Sequence, residues 1–310
     1  MRFGGVVLLA LVGCSKREPS PPVGTVLAPT GGMYLLVDDE FAYVAGWGLA
    51  KVSLDGGAQT VLVAQTSVAG EAMDSDAIYV STYSGANDGV IERVPKDGST
   101  AQVLATAPAT PVAVDDSYVY WQAKSGFMRI LKTGGTPELL TAAQDSTWAI
   151  AVDDTDLYWA TFVQLDAGIS YNALVSHVPK DGGAPEVLSD MAIGLTRFGL
   201  DDGGVYWNEC PPTGGVVCSL VRFDKATKQS RAVLSKPSLW VSNAIVIDSA
   251  RVYSTDVERI DYTPISGGTA TLVAKTSTDT PDVKVRSGNV YWLDYDYDGG
   301  VMNLRTIPTP

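Results

Sequence analysis

The chain holds one histidine, His177, three cysteines, and no apolar run long enough to be a membrane helix. Each shortage closes off a class of function. With a single histidine, a Ser-His-Asp hydrolase or a histidine-metal centre must use His177, and no G-x-S-x-G or H-E-x-x-H motif accompanies it. Charged residues are scarce as well, at 18% of 310, and the 22 basic residues are scattered singly against 35 acids. The formal charge is −13 with no basic cluster, which argues against nucleic acid as a partner. The same field disfavours flat adsorption to anionic lipid, so membrane attachment calls for a covalent anchor. Long helical patterns are absent. What is plentiful is glycine (31), proline (17) and apolar residues (45%), the composition of many short strands joined by tight turns.

A tyrosine stands five residues after a fixed position that is usually aspartate, and this happens seven times. The pairs are Asp38/Tyr43, Asp74/Tyr79, Asp115/Tyr120, Asp153/Tyr158, Asp201/Tyr206, Asp248/Tyr253 and, with the acid replaced, Arg286/Tyr291. A return of this length marks a ring of repeated sheets. The third unit shows the grammar: Val112-Ala113-Val114-Asp115-Asp116, Tyr118-Val119-Tyr120-Trp121, Phe127 to Lys132, a Thr133-Gly134-Gly135 turn, then Glu138-Leu139-Leu140. These read as strands a, b, c and d, with an aspartate corner between a and b and a glycine hairpin between c and d. The last unit stops at strand c, and Gly24 to Ala28 matches the d strands. The fold predicted is all-β, a seven-bladed β-propeller of four-stranded antiparallel blades, the last blade closed by the N-terminal strand. The a-to-b and c-to-d turns share one face and stay short. All length variation falls on the other face: Phe162 to Ala173 in unit 4, the cysteine loop in unit 5 and Asp294 to Gly300 in unit 7. Variable loops on a rigid frame are where function usually sits.

The pairs Tyr120-Trp121, Tyr158-Trp159, Tyr206-Trp207 and Tyr291-Trp292, followed by a basic residue and a Gly-Gly turn, resemble YWTD-type propellers and are similar to TolB-like propellers of bacterial envelopes. The resemblance spans residues 23–310 and implies an extracytoplasmic recognition module. At the N-terminus, Met1-Arg2, the apolar run Phe3 to Val12 and Leu11-Val12-Gly13-Cys14 resemble a bacterial lipoprotein signal. That resemblance implies cleavage after residue 13, acylation of Cys14 and, from Ser15, sorting to the outer membrane. Residues 1–13 are then a signal peptide, 14–22 a proline-rich flexible tether and 23–310 the propeller. In an oxidising compartment Cys210 and Cys218, eight apart, suit a disulfide across a hairpin loop; a reduced or metal-bound pair is the alternative.

Features that recur in every unit are packing features, so the tyrosine, tryptophan and aspartate columns read as core and corner. His177 shares its strand-c column with Lys51, Arg93, Arg129, Arg222, Tyr262 and Arg305, which makes it structural too. Asp294, Asp296 and Asp298 have the D-x-D-x-D-G spacing of a calcium loop, but Met302 and Arg305 stand where its ninth and twelfth ligands belong. Calcium is thus a weak cofactor candidate, with none otherwise expected. Trp148 and Trp240 lie outside the aromatic column on the variable face. Tyr34, Arg197, Asn243 and Asp282 fall near the channel mouth. These six are the binding-face candidates, suited to an envelope protein or glycan. The function expected is that of a monomeric, envelope-anchored binding or scaffolding propeller. Its rival is a metal-dependent propeller enzyme of the lactonase or polysaccharide lyase type, using Asn243, Asp282 and Glu71.

Overall fold

The computed structural model describes the protein outside residues 1–22, 84–88, 108–109, 143–146, 165–170, 193–197, 210–216, 237–243, 257 and 278–281. The side chains of residues 148, 162–164, 171–173, 191–192, 236 and 256 are also outside the described set.

Strand formation follows the repeat. In the third unit Tyr118–Ala123 pairs with Gly126–Leu131, setting Tyr120 against Arg129 and Trp121 against Met128. Val112–Val114 and Glu138–Thr141 flank this hairpin and complete a four-stranded blade. Neighbouring blades cover both faces of the sheet, so consecutive residues such as Val119, Tyr120 and Trp121 are all buried.

Three further blades repeat the pattern: Thr147–Val152, Asp156–Gln164, Tyr171–Pro179 and Glu186–Ala192; Gly199–Asp201, Gly204–Glu209, Cys218–Asp224 and Gln229–Lys236; Ile245–Ile247, Arg251–Asp256, Arg259–Pro264 and Thr271–Lys275. The first two of these touch edge to edge through the single pair Ala192–Glu209. Val283–Arg286, Asn289–Asp296 and Val301–Pro308 form another blade, whose fourth strand is Thr25–Thr30 from the chain start.

Residues 32–107 depart from expectation. They form one six-stranded sheet, Gly32–Val37, Phe41–Ser53, Thr60–Met73, Ala77–Tyr83, Gly89–Pro95 and Gln102–Ala107, two strands too few for two separate four-stranded blades. Phe41–Ser53 and Thr60–Met73 run 13 and 14 residues, the first carrying strands b and c of the first repeat unit and the second joining its strand d to strand a of the next. The seven blades expected are corrected to six. Seven corners remain, because the corner recurs with each repeat unit whether or not neighbouring units share a sheet.

The corners are built as the aspartates suggest. Asp115 Oδ1 accepts the N–H groups of Ser117 and Tyr118, both at 2.8 Å, and the Asp115 N–H bonds the Tyr118 carbonyl at 3.0 Å. In the hairpins at the far end of strand c, the N–H of Gly56, Gly98, Gly134, Gly182 or Gly267 closes a turn onto the carbonyl three residues back. These glycines have φ between 85° and 96°, the left-handed region that a G1-bulge hairpin requires. Unit 7 lacks the aspartate because its corner is a tight hairpin with Ser287 at φ 48° and Gly288 at φ 75°, which needs no side-chain acceptor.

Aromatic residues fill the seams between blades. Trp121 packs with Tyr79 and Ile91, Trp207 with Tyr158, and Trp292 with Tyr253. Each such side chain contributes on the order of 2–3 kcal/mol by its burial.

One register differs from expectation. Tyr291 lies opposite Thr306, so Arg305, opposite Trp292, is one residue out of the His177 column and points to the other side of its strand.

Candidate functional site

The two faces of the ring differ in chemistry. On the face of short turns the corner aspartate does more than cap a turn. Its second oxygen accepts the tyrosine hydroxyl five residues on, at 2.8 Å for Asp38/Tyr43, 2.9 Å for Asp74/Tyr79, 2.8 Å for Asp115/Tyr120 and 2.9 Å for Asp153/Tyr158. The pairs Asp201/Tyr206 and Asp248/Tyr253 follow at 2.6 and 3.0 Å. A lysine from the next unit then reaches back to that oxygen: Lys96 to Asp38 at 3.0 Å, Lys132 to Asp74 at 2.8 Å, Lys180 to Asp115 at 2.7 Å and Lys225 to Asp153 at 2.7 Å.

Burial alone works against ionisation of these acids. The lysine, the two turn N–H groups and the tyrosine outweigh it, and Asp74 and Asp153 are held at about 2. Burial and the adjacent carboxylate together push the tyrosines up, Tyr206 to about 12. These anions are fixed far from the range of a general acid or base.

The lysines end after the fifth unit. Backbone bonds identify Leu54, Ile265 and Thr309 as occupants of the same position in units 1, 6 and 7. Without a lysine from unit 6, Asp201 is met from within its own unit by Arg222, which binds the Tyr206 hydroxyl at 2.9 Å and stands 3.8 Å from Asp201, while Arg286 of unit 7 forks across the seam onto Asp39 of unit 1 at 2.8 and 2.9 Å. The sequence carried a signal for the latch, since Lys96, Lys132, Lys180 and Lys225 all follow strand c directly. Reading that position only as part of a turn missed it.

His177 lies opposite Tyr158 and stacks on it, ring centroids 5.8 Å apart. Nδ1 is 2.9 Å from Asp156 and Nε2 is 3.5 Å from Glu186. It is a buried member of the corner network, at 7% exposure. A cleft of about 770 Å³ opens beside it between units 4 and 5, lined by Asp153, Asp154, Asp156, Asp201, Lys225 and Lys228 among others. Asp153 and Asp201 there serve as corner posts, as elsewhere in the ring.

Of the six binding-face candidates, Trp240, Arg197 and Asn243 lie outside the described residues, as does the side chain of Trp148; its backbone lies in Thr147–Val152. Tyr34 is half-buried and packs on the cluster of Leu36, Tyr43 and Val80. Asp282 is fully buried. Its carboxylate accepts the Leu35 and Val283 N–H groups at 2.8 and 2.9 Å and pairs with Lys284 at 2.5 Å, tying the last repeat unit to the first. Glu71 is buried at 6% within Thr60–Met73. The acids proposed for a channel enzyme are therefore interior groups, with Asp282 already held by a lysine.

Asp294, Asp296 and Asp298 do not converge. Asp294 turns inward, 2.7 Å from Arg305 Nε and 2.6 Å from the Ser277 N–H. Asp296 instead accepts the N–H groups of Asp298 and Gly299, both at 3.1 Å. Among the described residues no group of three His, Cys, Asp or Glu side chains is placed to hold a metal. Cys14 and Cys210 lie outside the described residues; Cys218 is disulfide-bonded. No described helix is long and apolar enough to cross a membrane.

The opposite face carries a residue that sequence reading passed over. Trp47 stands on the strand Phe41–Ser53 and is 73% exposed, the most exposed large apolar side chain described. The Leu54 N–H bonds the Glu40 carbonyl at 2.9 Å, which brings both ends of that strand to the short-turn face and puts Trp47, midway, at the far face. Its signal in sequence was the flanking Gly46 and Gly48, and its place three residues beyond Val44, the position tryptophan takes in four other units.

No family model and no curated protein matches this sequence. Solved structures do. An oligogalacturonate lyase in complex with manganese aligns with a TM-score of 0.62 and 13% identity, covering 87% of this chain and 85% of the lyase. BamB from Moraxella catarrhalis aligns at 0.54 and 12%, over 92% and 100% of the two chains. A chain of the nidogen/laminin complex aligns at 0.54 and 13%, over 73% and 89%. At these identities the likeness is one of fold: the protein is a β-propeller.

Proposed function

We propose that the chain is a non-catalytic binding propeller of the bacterial envelope, anchored by lipid at Cys14 and engaging its partner through the face of variable loops. The observation that carries this reading is the contrast between the faces. On the short-turn face the same Asp-Tyr latch recurs at six corners and four lysines are committed to it, leaving little that differs from unit to unit. On the other face the units diverge, and an apolar ring stands in solvent. One structural neighbour supports a protein as partner, since nidogen is seen in complex with laminin, and BamB, from a bacterium, shares the fold.

The alternative, a metal enzyme at the channel, has the manganese-bound lyase as a neighbour in fold. Its proposed acid Asp282 is neutralised by Lys284. Stoichiometric metal in the purified protein, lost together with an activity on chelation, would restore that reading.

The test of the leading reading is capture from envelope extract with the intact protein and with Trp148→Ala/Trp240→Ala. Loss of specific partners in the variant is expected, and identical partner sets refute the face. For the anchor, Cys14→Ala is expected to abolish incorporation of labelled fatty acid; unchanged labelling refutes it.

A further inference from the structure

Trp47 has no packing role that accounts for it. The tryptophans of the strand columns are buried, Trp121 at 2%, Trp207 and Trp292 at 0%, whereas Trp47 leaves nearly three quarters of its surface in water. It forms one wall of a cleft of about 270 Å³. The floor is backbone. A Cβ on Gly46 would come within 2.8 Å of Gly32 Cα, and one on Gly48, whose φ is 118°, within 2.7 Å of the Val63 carbonyl. The strands thus meet without intervening side chains, and both glycines beside the indole leave its faces bare. Val61 and Val63 add apolar lining, and the polar groups come from the Gln65 amide and the Gln59 amide, whose nitrogen also donates to the Pro29 carbonyl. None of the thirteen lining residues is charged, in a chain of net charge −13.

We infer that this cleft is a subsite for a neutral saccharide, one ring of a longer glycan stacking its C–H face on the Trp47 indole. The inference deepens the binding-module reading above and rests on it. Several features point to this ligand rather than another. An indole face attracts the weakly polarised C–H groups of a pyranose, while backbone amides and glutamine amides match its hydroxyls as donors and acceptors. The cleft offers no cation to hold a carboxylate or sulfate, and the negative field of the chain repels acidic glycans. Its volume lies just under the usual range for small-ligand sites, about 300–1,000 Å³, and it is open, which suits a single unit of a chain that continues into solvent. A buried apolar anchor from a protein needs deeper enclosure than this.

The experiment titrates the full-length protein, kept in a detergent without sugar groups, with neutral cello-, malto-, xylo- and chito-oligosaccharides and with an acidic oligogalacturonate. Indole fluorescence and calorimetry are followed together. At least one neutral series is expected to bind with a blue shift. Trp47→Ala should weaken that binding at least tenfold with an unchanged melting temperature, because so exposed a side chain contributes little to folding. Trp47→Phe, which keeps a stacking ring, should retain a measurable part. Three results overturn the inference: no neutral series binds, Trp47→Ala binds as well as wild type, or the acidic oligosaccharide binds more tightly than every neutral one. If Trp47→Ala still captures the envelope partner while wild type binds no saccharide, this subsite is refuted and the binding-module reading stands.

Discussion

Replacing Asp115 by alanine removes four acceptor contacts at once: the Ser117 and Tyr118 N–H groups, the Tyr120 hydroxyl and the Lys180 ammonium. They do not cost the same. The Ser117 and Tyr118 N–H groups stand at a surface turn and find water, at a loss of about 0.5 kcal/mol each. The Tyr120 hydroxyl belongs to a side chain 1% exposed, and leaving it unpaired costs about 1–2 kcal/mol. Lys180, at 21% side-chain exposure, loses a close anion but regains part of its hydration, for about 1 kcal/mol. Asp115→Ala should therefore destabilise by about 3–4 kcal/mol. Lys180→Met leaves the carboxylate its three other donors and should cost about 1–1.5 kcal/mol. The two changes share a partner, so their double-mutant cycle should show a coupling of about 1 kcal/mol. Asp248 supplies the internal control. It makes the same turn and tyrosine contacts, but Thr309 occupies the lysine position, so Asp248→Ala should fall short of Asp115→Ala by about that coupling. Urea unfolding followed by circular dichroism measures all four. A cost below about 1 kcal/mol for Asp115→Ala, or zero coupling with Lys180, refutes the latch as a stabilising unit.

Acid should act through the same groups. Asp74 and Asp153 are held at about 2, below the ordinary value of 3.8, so their contribution is complete above about pH 4 and is lost as the pH falls toward 2. Lys132→Met and Lys225→Met should each flatten that loss, and equally steep acid unfolding in the variants speaks against it. Arg305→Met leaves Asp294, 5% exposed, without its cation and should cost about 3 kcal/mol in thermal or urea unfolding; a change under 1 kcal/mol shows that the pair is incidental. With Asp294 so engaged, calcium and chelator should give the same melting temperature, and a rise of several degrees in calcium returns Asp294, Asp296 and Asp298 to consideration. Cys218→Ser should lower stability by about 2.5 kcal/mol if the bridge closes the loop from Cys210, and an unchanged urea midpoint argues for another partner.

The corner was legible in sequence because its chemistry is local. An aspartate that caps its own turn and meets a tyrosine five residues on must keep both residues at fixed spacing, and six of the seven units do. The count of blades was not legible. Corner periodicity counts repeat units, and two units can share one sheet when strands such as Phe41–Ser53 and Thr60–Met73 run on without a break. The shift of Arg305 was hidden for a similar reason, since strand pairing is set by turn geometry and the last unit has a different hairpin. Channel acids such as Asp282 looked available because sequence shows a charge and not the lysine or N–H groups folded against it. Trp47 went unnoticed for the opposite reason. Trp148 and Trp240 stood out in d-to-a connections, whereas Trp47 sits in a short link inside unit 1 that shows no length variation, and only its exposure sets it apart.

The latches also impose an order of assembly. Each lysine reaches back 58 to 72 residues, from Lys96 to Asp38 at the short end to Lys225 to Asp153 at the long one, onto a corner that has already left the ribosome. The early units are thus stitched together as they emerge, whereas Thr25–Thr30 waits for Val301–Pro308, and Thr30 meets the Met302 carbonyl across 272 residues. Until then the first strand made is a free edge in search of a partner. A second copy of the chain offers the same Val301–Pro308 edge, so crowding of unfinished rings favours exchange of this one strand. The strand that closes the circle is thereby also the one through which two circles can become linked.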